Sequence, residues 1–72
     1  MRPARAPIAE LDRVPLAQEV ESDDGAMVPA GLTGTVDGIW AEGAGFEVEF
    51  AQPFSALATV RADAIAAHYP RR

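Results

Sequence analysis

Five consecutive residues, Phe46-Glu47-Val48-Glu49-Phe50, alternate large apolar and acidic side chains without a break. Successive side chains of a strand point to opposite faces, so Phe46, Val48 and Phe50 go toward a core and Glu47 and Glu49 toward water. A helix would scatter the same residues around its circumference. A half-buried antiparallel strand is therefore the element around which the rest must be arranged.

Its neighbours supply partners. Thr33 to Trp40 is rich in β-branched and aromatic residues and reads as a second strand. Ala41 to Ala44, with Gly43 inside and Gly45 just after, suits a hairpin loop of more than two residues. Between Val36 and Ile39 the apolar register slips, and a β-bulge or sharp bend at Gly38 reconciles the two. The core face of this hairpin is Val36, Phe46, Val48 and Phe50. After Gln52 and Pro53, Ala56 to Arg61 reads as another short strand, with Leu57 or Ala58 inward beside Val60. Asp63 to Ala67 resembles one helical turn, and Ile65 and Tyr69 then close the core in a short last strand before Pro70.

Upstream, Pro15 argues against a helix because it lacks an N–H and clashes with the preceding turn. Arg13 to Glu19 is expected to be extended, and its proline places it at a sheet edge. Glu21 to Gly25 is a loop by residue type. Val28-Pro29-Ala30-Gly31 matches a type I turn, with proline second and glycine fourth.

A chain of 72 residues holds one domain, and chains this short bury only about 60% of the surface they expose when unfolded. The expected fold is mostly β: a small barrel of about five short strands with one helical turn near the C-terminus. Residues 1–9 are expected to be a flexible tail and residues 10–70 the domain. With no cysteine, disulfides and thiolate chemistry are excluded, and the cytoplasm is the expected compartment. No apolar run approaches the roughly 20 residues of a membrane-spanning helix, so no membrane association is expected.

The charge is unevenly placed. The chain has no lysine, and Arg13 and Arg61 are the inner limits of its basic residues. Between them lie Glu19, Glu21, Asp23, Asp24, Asp37, Glu42, Glu47 and Glu49, and no base. Affinity for nucleic acid comes largely from Lys and Arg displacing counterions from phosphates, so this segment disfavours DNA or RNA.

The run Gly31-Leu32-Thr33-Gly34-Thr35-Val36, followed by Phe46-Glu47-Val48-Glu49-Phe50, resembles the glycine-and-valine hairpin of SH3-like barrels of the KOW type. With the opening Leu11-Asp12-Arg13-Val14-Pro15-Leu16, the chain from Leu11 to Tyr69 also resembles a family of small bacterial proteins described only as a domain of unknown function. The resemblance implies an SH3-like barrel and transfers no catalytic residue. KOW modules that touch RNA usually carry basic residues about the hairpin, whereas this one carries Asp37, Glu42, Glu47 and Glu49.

No chemistry-bearing constellation stands out. His68 is the sole histidine, so no histidine pair is available for a metal or a triad, and it reads as a surface side chain. Asp23 and Asp24 lack the spaced oxygen series of a calcium loop and read as a solvated turn. Glu47 and Glu49 share a face that alternation sends outward, where burial cannot split their acidities for catalysis. Ser22 and Ser55 lie in no nucleophile motif. Trp40, at a strand end beside a loop, is expected to cap the core, the alternative being an exposed anchor for a partner.

No enzyme activity and no cofactor or metal are expected. The leading expectation is an acidic protein-binding accessory module, or small subunit of a bacterial complex, that meets a basic surface of another protein through Asp37, Trp40, Glu42, Glu47 and Glu49. An inhibitor of a basic nuclease-like partner, of antitoxin or immunity type, is one alternative. A KOW-like nucleic-acid module using Arg2, Arg5, Arg13, Arg61, Arg71 and Arg72 is another, and a second copy of the chain is a further candidate partner.

Overall fold

A computed structural model describes residues 7–71. Residues 1–6 of the expected tail, with Arg2 and Arg5, lie outside the described residues, as does Arg72. Of the remainder of that tail, Ile8 is half-buried against the core.

The fold is mostly β, with six short strands in two antiparallel sheets. Strands β1 (Arg13–Pro15), β4 (Thr33–Trp40), β5 (Gly45–Phe50) and β6 (Ala56–Arg61) form one sheet in the order β1-β4-β5-β6. Strands β2 (Val20–Glu21) and β3 (Met27–Val28) form a separate two-stranded ribbon. The sheets do not close into a continuous hydrogen-bonded barrel. The expected last strand is reduced to two isolated bridges, Leu16 with Ile65 and Arg13 with Tyr69.

The alternating run organises the sheet as its pattern requires. Phe46, Val48 and Phe50 are buried and pair with Val60, Ala58 and Ala56 on β6. On β4, Val36 lies opposite Val48 and Ile39 opposite Phe46, with a register shift between Val36 and Gly38. The bulge is therefore where the apolar slip asks for it, and Asp37 is its extra residue. Val14, Leu16 and Val28 complete the core from outside the hairpin. On β6 it is Ala58 that turns inward, leaving Leu57 39% exposed.

Gly34 is required by packing. A Cβ there would lie 2.5 Å from Val48 Cγ1, 2.8 Å from the Glu49 carbonyl and 2.9 Å from Phe50 Cδ2. The first extended segment is shorter than expected: the strand ends at Pro15, Leu16 continues the register with a bond to the Leu32 carbonyl, and Ala17 then leaves β4 to bond the Ala64 carbonyl. The proline turn is shifted by one residue. Leu32 N–H reaches the Pro29 carbonyl at 3.4 Å, and Gly31 (φ +91°) takes the third position, which in a type II turn needs positive φ. The helical turn is a single 3₁₀ turn at Ala62–Ala64, slightly before the expected span. None of the described helices is long and apolar enough to cross a membrane.

Candidate functional site

The outer face of the four-stranded sheet follows from the register. Thr35, Glu49 and Leu57 form one cross-strand row; Gly38, Glu47 and Thr59 the next; Trp40, Gly45 and Arg61 the last. Thr59 donates its hydroxyl hydrogen to Glu47 Oε1 at 2.8 Å, which fixes that carboxylate along the sheet. Asp37 lines a shallow hollow with Glu49 and Leu57, so the bulge brings its carboxylate to the same side.

Trp40 belongs to this face and not to the core. It is 55% exposed, because β4 places it opposite Gly45, whose missing side chain gives the indole nothing to pack beneath. The expectation that it caps the core is thereby corrected. Asp37, Trp40, Glu47 and Glu49 thus share one face. Arg13 and Arg61 stand on the two outer strands of the same sheet.

Glu42 is separated from them. It lies in the 3₁₀ turn Ala41–Gly43, where Ala41 (φ 49°), Glu42 (φ 58°) and Gly43 (φ 100°) are all left-handed. Three such residues in a row turn the chain sharply, at an energetic cost for Ala41 and Glu42. Glu42 consequently stands at a groove of about 570 Å³ lined by Ile8, Ile39, Phe46, Ile65 and His68.

His68 is not a surface residue. Its side chain is 7% exposed, and Nε2 lies 3.1 Å from Asp12 Oδ2, outside the angular range of a hydrogen bond. Asp12, likewise buried, accepts the Ala9 N–H (2.9 Å) on Oδ2 and the Arg71 N–H (3.1 Å) on Oδ1. The Ala9 bond, with smaller help from the Arg71 N–H and His68, holds the Asp12 carboxyl below its ordinary value against the opposing effect of burial. One carboxylate therefore ties the chain entering β1 to the chain leaving the domain. Little in the sequence marks Asp12 for this role, because Arg71 and His68 are remote from it along the chain.

Asp24 is engaged within its own turn. Buried Ser22 donates its hydroxyl hydrogen to Asp24 Oδ1 and accepts the Ala26 N–H at 3.0 Å. The Ser22 hydroxyl is the main reason the Asp24 carboxyl is also held below its usual value. No protein-family model, curated protein or solved structure matches this chain.

Proposed function

We propose that this chain is a non-catalytic protein-binding module whose acidic outer sheet face docks onto a basic surface of another protein. The observation that carries the reading is the gathering of Asp37, Trp40, Glu47 and Glu49 on one uncovered face, beside half-exposed Leu57. An exposed tryptophan flanked by carboxylates offers a partner both an apolar anchor and charge complementarity. The same carboxylates speed association with a cationic surface and make it sensitive to salt. They also repel phosphate backbones, which favours a protein partner over nucleic acid.

The SH3-like reading of the fold belongs to this proposal. It is supported by the strand order, by the 3₁₀ turn after β6 and by the bridges that bring the C-terminal segment back to β1. The function does not depend on it.

The test uses the chain as bait at low salt, beside a variant carrying Asp37→Lys, Glu47→Lys and Glu49→Lys. A cognate protein is retained by the wild type, released by moderate salt and lost with the variant. Once purified, that protein should bind the variant at least about tenfold more weakly, a change of roughly 1.4 kcal/mol. Equal binding to both sinks the proposal.

A further inference from the structure

The two edges of the four-stranded sheet are treated differently. On β1, Arg13 exchanges hydrogen bonds of 2.9 and 2.8 Å with Tyr69, and the Pro15 carbonyl accepts the Ala66 N–H at 2.9 Å. That edge is closed by the chain's own C-terminal segment. The edge of β6 is not.

The hydrogen-bond phase of β6 is set at both ends. Ala62 N–H bonds to the Ala44 carbonyl at 2.9 Å, so Ala56, Ala58 and Val60 turn their backbone groups toward β5. Leu57, Thr59 and Arg61 turn theirs away. The Leu57 carbonyl accepts the Asp23 N–H at 2.7 Å and the Arg61 carbonyl opens the 3₁₀ turn Ala62–Ala64, whereas no described residue bonds to the Thr59 N–H, the Thr59 carbonyl or the Arg61 N–H. Unpaired edge groups of this kind are a template for another strand.

We propose that β6 pairs antiparallel with β6 of a second copy, about a two-fold axis through Val60. In this register Thr59 faces Arg61 of the second copy: the free Arg61 N–H donates to the free Thr59 carbonyl, and the Thr59 N–H donates to the second lone pair of the Arg61 carbonyl. Centring the pair on Thr59 would instead set Arg61 against Leu57, where the Asp23 backbone already lies along the edge. The interface is self-complementary, as a two-fold dimer requires.

Charge supports the same register. Thr59 and Glu47 lie in one cross-strand row and are hydrogen-bonded at 2.8 Å. Arg61 of the second copy enters that row beside Thr59, within reach of Glu47. Among the described residues the Arg61 guanidinium pairs only with Asp63, at 3.4 Å, with the two side chains 83% and 72% exposed. Such an exposed pair holds its arginine weakly and leaves it free to exchange partners. The dimer is a small-interface one, below about 1,200 Å², and correspondingly weak. It sets the two acidic faces side by side on one continuous sheet.

Sedimentation of the whole chain from micromolar to about 1 mM concentration tests this, with amide exchange followed by NMR. The expected result is a monomer–dimer equilibrium in which the Thr59 and Arg61 amides gain protection. Thr59→Pro removes an outward N–H while leaving the β5 ladder intact, and should abolish the dimer. Should that variant fail to fold, Arg61→Glu, at an exposed position, carries the test. It should weaken the dimer by about tenfold, and adding Glu47→Arg should restore it. A chain that stays monomeric at about 1 mM, forms assemblies larger than two, or dimerises undiminished with Arg61→Glu overturns the proposal.

Discussion

The β4–β5 hairpin and the junction around Asp12 hold the same small domain together by different means. In the hairpin, residues close in sequence pair across a turn, and an apolar face is buried by simple alternation. At the junction one carboxylate accepts hydrogen bonds from Ala9 and, 59 positions along the chain, from Arg71, with His68 beside it. The first is packing that tolerates water on its far side. The second is a buried polar cluster whose value depends on every partner being in place. A domain this small needs both, because its core alone closes only one side of the sheet.

Perturbing the hairpin core should have the largest effect. Phe50→Ala, at a side chain 1% exposed, is expected to cost about 3–5 kcal/mol, read as a lowered urea midpoint or outright unfolding. Gly34→Ala comes next, at about 1–3 kcal/mol, since a Cβ 2.5 Å from Val48 Cγ1 forces the two strands apart. A wild-type midpoint for Gly34→Ala would show that the close approach is not a constraint.

The junction should respond to pH where the hairpin does not. The Asp12 carboxyl is held below its ordinary 3.8, so its stabilising contribution is complete above that value. It is lost as pH falls through the depressed folded value. Urea midpoints of wild type and Asp12→Asn should therefore differ at neutral pH and converge in acid. A gap that persists in strong acid would remove the carboxylate's charge from the account. Smallest of all, Glu49→Gln on the outer face is expected to move stability by no more than about 0.5 kcal/mol. A larger loss would mean that the outer face is structural rather than available.

The contrast also explains what the sequence disclosed. Phe46 to Phe50, the Gly38 bulge and strand Ala56–Arg61 were legible because period-two alternation and glycine positions are local signals. The turn at Pro29 was legible as a turn but off by one, since two types compete for the same residues and only the positive φ of Gly31 distinguishes them. The β2–β3 ribbon, two residues a side, has no run long enough to alternate. Trp40 and His68 exchanged roles, the tryptophan exposed and the histidine buried. Each depends on what lies opposite: bare Gly45 for the one, Asp12 from the other end of the chain for the other. Of the expected binding residues, Asp37, Glu47 and Glu49 were placed by alternation and bulge, whereas Glu42 left the group because three left-handed residues turn it toward the groove.

The claim that the outer sheet face is the working surface is tested most directly by titrating the isotope-labelled chain with an arginine-rich peptide at low salt. The account expects shifts at the Trp40 indole and at the backbone of Asp37, Glu47, Glu49 and Leu57, all reversed by added salt. Shifts confined to Ile39, Phe46 and His68 in the groove, or none at all, would contradict it.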